Sequence, residues 1–156
     1  MFYLQLNLKI RFTFIFLVTE VKAHFETLEI KTTQKIELVN ITRQVEEAAR
    51  RSGVENGLCL VYAPHATAAI IANEDEEGLK ADIVKWIREF FPHDGKWRHN
   101  LIDDNAAAHL ASSMLTSSRL FPVRGGRLIR GTWQSIFLVE LDGPRTRRVV
   151  VEVLGL

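Results

Sequence analysis

The chain has 156 residues, of which 47% are apolar and 25% are charged, and its formal net charge is +1. This length and composition are typical of one globular domain whose core needs neither disulfides nor a structural metal. The balance of 20 basic and 19 acidic residues argues against a nucleic-acid-binding protein, for which a basic excess is expected. The C-terminal arginines are interpreted as a solvated strand face: Arg124, Arg127, Arg130, Arg145, Arg147 and Arg148.

Cys59 is the single cysteine of the chain, which removes any disulfide framework and any all-cysteine zinc site. It lies in an apolar run without a basic neighbour, so we expect a small buried hydrophobe rather than a nucleophile. Such cysteine usage fits a reducing, cytoplasmic compartment.

Residues 1–20 are predicted to be an N-terminal extension of a domain that spans residues 21–156. Apolar and polar residues alternate between Leu4 and Phe14, which is the periodicity of a strand. Lys9 interrupts the apolar stretch and leaves it too short to cross a bilayer. We therefore expect an extra strand here and no association with a membrane.

The domain opens with strand patterns and a first helix. The segment His24–Leu38 is predicted to form two strands joined by a turn, and their closeness in sequence favours a hairpin. Apolar residues then recur at helical spacing over 42–52, and Gly53 is placed where such a helix ends. Two further strands are predicted at Leu58–Ala63 and Thr67–Ala72.

Two more helices are predicted in the middle of the chain. The longer one spans about 73–91 and begins with an Asn-x-x-Glu capping pattern. The shorter, alanine-rich one spans about 105–115, with Asp103 or Asp104 available as its N-cap.

The C-terminal third is dominated by strands. A strand from Leu120, a Gly125–Gly126 turn and a second strand are followed by the apolar run Ile136–Leu141, a turn and a last strand at Val149–Leu154. Strands outnumber helices and do not alternate with them regularly, which predicts an α+β fold. We expect one compact domain with a mixed or antiparallel sheet, two longer helices and one short helix.

Three of the five histidines lie among other polar residues that could form a site. His65 lies between two predicted strands, and His99 lies in a polar loop. His109 follows Asn105 by four residues, so Asn105 and His109 are expected to face the same way on a helix. Neutral imidazoles from separate elements are suitable zinc ligands, although three unrelated core or surface histidines would give the same pattern. Four carboxylates could orient such ligands or transfer protons: Glu74, Asp82, Glu140 and Asp142.

The sequence contains five motifs that together are specific enough to indicate a family: HATAAIIANE at 65–74, RHN at 98–100, DNAAAHL at 104–110, GTWQ at 131–134 and ELDGPR at 140–145. Together they resemble the YjbQ family, which is associated with a secondary thiamine-phosphate synthase activity. The resemblance covers about residues 23–155. It implies an α+β subunit that assembles as a homotrimer, with a histidine-rich pocket near a subunit boundary.

The resemblance also implies the roles of individual residues. The motif histidines, as ligands of a divalent metal, fall on His65, His99 and His109. Zinc is the metal expected, and magnesium would suit a phosphorylated substrate. The residues expected in catalysis are Glu74, Glu140, Asp142 and Arg145. Those expected to bind substrate are Asn73, Arg98, Asn105, Thr132, Trp133 and Gln134.

The implied reaction joins a pyrimidine diphosphate to a thiazole phosphate and releases diphosphate. Arg98 or Arg145 would bind phosphate oxygens as a forked donor, and proximity would supply much of the remaining rate enhancement. Two other functions fit the same residues. One is a metal-dependent hydrolase or lyase acting on another phosphorylated metabolite, and the other is a non-catalytic trimer that binds a metal or metabolite.

Overall fold

The computed structural model describes residues 20–156, so the strand predicted within residues 1–20 lies outside the described part except for Glu20. The strands are β1 (Lys22–Lys31), β2 (Glu37–Asn40), β3 (Asn56–Tyr62), β4 (Ala68–Asn73), β5 (Ser118–Arg124), β6 (Arg127–Leu128), β7 (Ser135–Glu140) and β8 (Thr146–Gly155). The helices are α1 (Thr42–Arg51), α2 (Glu77–Phe90) and α3 (Ala106–Leu115), and a 3₁₀ turn spans Arg98–Leu101. The predicted α+β class is confirmed.

The strands form two antiparallel sheets, one of five strands in the order β1-β8-β3-β5-β6 and one of three in the order β2-β7-β4. The predicted hairpin between His24 and Leu38 is wrong. β1 pairs with β8, where Lys22 lies opposite Gly155, whereas β2 pairs with β7 in the other sheet. Alternation identifies a strand and its buried face but carries no information about a distant partner.

The three-stranded sheet is the middle layer and is buried on both faces. Ile70, Ile136 and Leu138 face the five-stranded sheet and α1. Their neighbours in the strands, such as Ile71 and Phe137, face α2 and α3. A strand covered on both faces needs apolar residues at successive positions, which explains the unbroken apolar run of β7.

The helix starts differ in detail from the sequence prediction. The N-cap of α2 is Glu76, whose carboxylate accepts from the Gly78 and Leu79 amides at 2.7 Å each. Neither predicted aspartate caps α3. Asn105 occupies the N-cap position but makes no capping bond with its side chain. Instead, Asn100 Oδ1 accepts from the Ala106 amide at 3.0 Å, so a side chain of the 3₁₀ turn caps the helix.

None of the helices within residues 20–156 is long and apolar enough to cross a membrane.

Candidate functional site

A buried ion pair lies beneath the candidate site. Glu140 ends β7 fully buried, and Arg147 in β8 is only 3% exposed. Arg147 donates through Nε to Glu140 Oε2 at 2.8 Å and through Nη2 to Oε1. The same Nη2 donates to the Thr67 hydroxyl and carbonyl, which ties β8 to the start of β4.

Glu140 is surrounded by donors. Its Oε1 also accepts from the Leu141 and Asp142 amides at 2.9 Å each, and Oε2 accepts from the Thr32 hydroxyl at 3.0 Å. Burial alone would raise the pKa of Glu140, but the hydrogen bonds from Arg147, the Asp142 amide and Thr32 outweigh it and hold that pKa below 4.5. With its oxygens engaged in this way, the carboxylate positions the chain and offers no free lone pair to a substrate.

Arg147 was expected on a solvated face, and this expectation is wrong. Residues of one parity in a strand share a face. Arg147 therefore lies on the same side as Val149, Val151 and Val153, which are fully buried. That register was readable from the sequence and would have identified a buried arginine in need of an acidic partner.

His65 lies in the connection between β3 and β4 and is held by backbone. His65 Nε2 lies 3.0 Å from the Arg148 amide nitrogen and 3.1 Å from the Arg148 carbonyl oxygen, so it accepts from the amide in one tautomer and donates to the carbonyl in the other. Burial, together with the nearby Arg147 charge, lowers the pKa of His65 below 6.5. The lowered pKa favours the neutral imidazole, and in either tautomer Nε2 is engaged with the Arg148 backbone.

His65 and His109 line one surface cleft of about 390 Å³, which we call the histidine cleft. Its other side chains are mainly hydroxyls at the C-terminal end of α3: Ser112, Ser113, Thr116 and Ser117. Thr116 has a φ of 68°, a left-handed conformation that is costly for a β-branched residue and that is concentrated at functional sites.

His99 completes the histidine group from the 3₁₀ turn. Its ring lies edge-on to His109, with the ring centroids 4.9 Å apart. His109 thus lies near each of the other two motif histidines, because it shares the cleft with His65 and its ring contacts that of His99. Among residues 20–156, however, no three histidine, cysteine or acidic side chains are grouped so that they could hold a metal ion.

Asn105 and Asp142 form a second group on the opposite flank of α3. Asn105 Nδ2 donates to Asp142 Oδ2 at 3.2 Å, and Arg145 Nη2 donates to the same oxygen at 2.8 Å. Asn105 was expected to face the same way as His109, but it lines a different cavity. The i, i+4 rule fails here because Asn105 is the N-cap, with a non-helical φ of −142°.

The remaining predicted residues lie at the far end of the middle sheet. Along the β4–β7 ladder, Ala68 pairs with Glu140 and Asn73 pairs with Ser135. Five residues of strand separate these pairs, a distance of about 17 Å. Asn73 and Glu74, together with the loop that carries Thr132, Trp133 and Gln134, therefore lie away from the histidines; we call this group the Asn73 end.

The Asn73 end is held by local contacts. Gln134 Oε1 accepts from the Gly131 amide at 2.7 Å, whereas Trp133 is 73% exposed.

Arg98 is exposed next to His99. Cys59 is buried, and burial raises its thiol pKa to about 12, in agreement with an inert core cysteine.

Comparison with known proteins gives a consistent result. Residues 26–156 match the family model described as "UPF0047 protein YjbQ-like". A UPF0047 protein of Archaeoglobus fulgidus is 43% identical over 127 residues, which cover 81% of this chain and 98% of the relative. The Bacillus subtilis UPF0047 protein YugU is 41% identical over 134 residues, covering 83% and 98%.

Solved structures show the same fold. A crystal structure from Sulfolobus solfataricus P2, titled a YbjQ-like protein of unknown function, superposes with a TM-score of 0.87 at 53% identity, covering 88% of this chain and 100% of that one. A hypothetical protein from Aeropyrum pernix K1 gives 0.83 at 46% identity, covering 85% and 98%. With five ordered motifs, this fold and these relatives, the chain belongs to the YjbQ/UPF0047 family.

Proposed function

We propose that this protein is a cytoplasmic transferase of the thiamine-phosphate synthase type, which joins a pyrimidine diphosphate to a thiazole phosphate. The observation that carries the proposal is the convergence of the motif histidines: His65 and His109 line one cleft, and His99 contacts His109. Their convergence on a hydroxyl-lined cleft with a strained Thr116 supports a role in chemistry rather than packing.

The reaction forms and breaks bonds of the two substrates and needs no covalent bond to the protein. The thiazole nitrogen forms a bond to the pyrimidine methylene carbon as the bond from that carbon to the diphosphate oxygen breaks, and diphosphate leaves with the electron pair. Binding both substrates in line and stabilising the departing charge supply the catalysis. Arg98, which makes no ion pair within residues 20–156, and Arg145 beside Asp142 are the proposed cations for diphosphate.

The residues of one subunit do not fit the expected three-histidine metal site. No ligand group is formed within residues 20–156, and His65 Nε2 is engaged with the amide and carbonyl of Arg148. We therefore assign no step to zinc or magnesium. Metal content is instead measured on the purified protein alongside its activity.

We further propose that the site is shared between subunits of a homotrimer. Ser112 of the histidine cleft donates to the Ala68 carbonyl, and Asn73 lies about 17 Å farther along β4, a distance that one small substrate does not span. Leu101 and Ile102, beside His99, are 88% and 86% exposed. The outer face of the five-stranded sheet also exposes Phe25 and Leu120, as expected of surface covered in an assembly.

The test is formation of thiamine phosphate from the two phosphorylated precursors by wild type and three variants: His65→Ala, His109→Ala and Trp133→Ala. Each is expected to lower turnover at least tenfold, with an unchanged circular dichroism spectrum. Lys85→Gln, an exposed substitution on α2, is the matched control and should be as active as wild type. A wild-type protein without activity above background would refute the synthase proposal.

The shared site has its own test. His109→Ala and Trp133→Ala subunits are unfolded together, refolded together and assayed. Mixed trimers would regain part of the activity, because some sites would combine two intact halves. Mixtures no more active than either variant would contradict a shared site while leaving the synthase proposal intact.

A further inference from the structure

A second cavity, of about 470 Å³, lies between α2 and α3 on the flank opposite the histidine cleft. Its floor is made by apolar side chains that include Ile87, Phe91 and Leu141, all of them buried. The volume of this cavity and its apolar floor are typical of a pocket that binds a small organic molecule rather than an ion or a water cluster.

One wall of this α2–α3 cavity contains an unpaired acceptor. Asn105 Nδ2 donates to carboxylates of Asp103 and Asp142 at 3.3 and 3.2 Å. Ionised carboxylates only accept, so these two bonds fix which end of the amide is nitrogen. Asn105 Oδ1 is then left buried without a donor within the described residues, an uncommon state that calls for a partner. Both amide contacts are long, so the side chain can turn towards a ligand donor.

The rim of the cavity carries charges of both signs, because Asp94 and Asp142 line it as well as two cations, and Asp142 is paired with Arg145. Lys35 and Arg88 both line it and are exposed. Neither forms an ion pair with any residue in 20–156, unlike Lys80 and Arg130 elsewhere on the surface. Lys35 and Arg88 outnumber Asp94, the one acid of the rim without an ion pair among residues 20–156, and this excess of positive charge favours a ligand with an acidic group.

We propose that the α2–α3 cavity is a second small-molecule site, which takes a flat organic acid bearing an N–H donor on its apolar body. The acid group would contact Lys35 and Arg88, the ring would cover Phe91, and the N–H would donate to Asn105 Oδ1. α3 separates this cavity from the histidine cleft, but Asp142 lines the cavity and also holds Arg145 of the proposed transferase site.

The experiment titrates the ¹⁵N-labelled full-length protein with 4-aminobenzoate and follows the amide shifts. Saturable shifts are expected around Phe91 and Ala108. Ala107→Phe, which fills the cavity from a half-exposed helix position, should abolish them. The double variant Lys35→Gln/Arg88→Gln should weaken binding by at least about tenfold, the usual range for lost charged hydrogen bonds.

Two controls keep the result interpretable. Arg43→Gln removes a surface arginine from α1 and should bind as wild type does. 4-Methoxybenzoate keeps the ring and acid but lacks the N–H donor, and it should bind about tenfold more weakly. The proposal is overturned by absence of saturable shifts at millimolar probe, by shifts centred on Ser113 and Thr116, by unchanged binding to Ala107→Phe, or by equal affinity for both probes. Thiamine phosphate formation by the wild type is measured without the probe, so failure of the synthase proposal is distinguished from failure of this one.

Discussion

Substitution of Glu140 by glutamine tests whether the buried pair with Arg147 organises the fold beneath the site. The change is nearly isosteric, so it removes charge without leaving a cavity. Arg147, 3% exposed, would then remain as a buried cation without its counterion. Removing one partner of such a pair costs about 3–5 kcal/mol.

The hydrogen-bond geometry supports this magnitude. One Glu140 oxygen accepts from two backbone amides and Arg147, and the other accepts from Thr32 and Arg147. In either orientation of a glutamine, its NH₂ group faces at least one Arg147 donor, which cannot accept. A protein of this size has about 5–15 kcal/mol of total stability, so the variant should be close to unfolding at 37 °C.

The assay is urea unfolding at several pH values. Because the pKa of Glu140 lies below 4.5 in the folded protein, its contribution is complete above pH 4.5 and is lost as pH falls through the folded-state pKa. The stability difference between wild type and Glu140→Gln should therefore be full at pH 7 and shrink below pH 4.5. Adding Arg147→Met to the variant should restore part of the loss. A difference under about 1 kcal/mol at pH 7 with equal m-values would refute the reasoning.

Three further outcomes are expected. Gly57→Ala should destabilise the protein by about 2–4 kcal/mol in urea unfolding, because the added Cβ would lie 2.0 Å from the Leu154 carbonyl oxygen across the β3–β8 ladder. Asn100→Ala should lower stability by about 1 kcal/mol and speed amide exchange at the start of α3, since it removes that helix's cap. Cys59, with a thiol pKa of about 12, should not react with a disulfide reagent at pH 8 until urea unfolds the protein.

These expectations have matched controls. Gly53→Ala introduces strain at a φ of +64° but meets no atom within 4 Å, so it should cost only about 1–2 kcal/mol. Ser113→Ala removes a hydroxyl that bonds only the His109 carbonyl and should leave the exchange at the start of α3 unchanged. Equal losses for Gly57→Ala and Gly53→Ala would show that the backbone contact is relaxed at little cost.

Local patterns predicted the helices because the spacing of apolar and charged residues that indicates a helix repeats within one or two helical turns. α1 combines buried Val45 and Ala48 with charged neighbours, and α2 follows the same logic. The strand partners could not be predicted in this way, since β1 and β8 pair across the whole domain. The capping residue of α3 was missed for a related reason: Asn100 lies in a separate turn, outside the segment that normally supplies a cap.

At the candidate site, too, the sequence predicted which residues take part better than it predicted where their side chains lie. The motifs identified His65, His99 and His109, and the structure brings these to one region. Sequence alone did not show that Glu140 pairs with Arg147, because alternation in β8 identifies a buried arginine but not its acidic partner on another strand. Nor could it show that Asn105 departs from the helical face of His109, since that depends on the N-cap φ.

The separation of the motif residues has a physical consequence for the function. Glu140 and Asn73 stand at opposite ends of one antiparallel ladder, and a ladder buried on both faces cannot bend to bring its ends together. A single subunit can therefore unite the two groups only through a substrate longer than the ladder or through a neighbouring copy. The first alternative does not suit a pyrimidine or thiazole phosphate, and Trp133, 73% exposed at the Asn73 end, is accessible to a neighbour. This separation is the reason for proposing a site assembled between subunits, in which the rigid middle sheet would set the spacing of two half-sites.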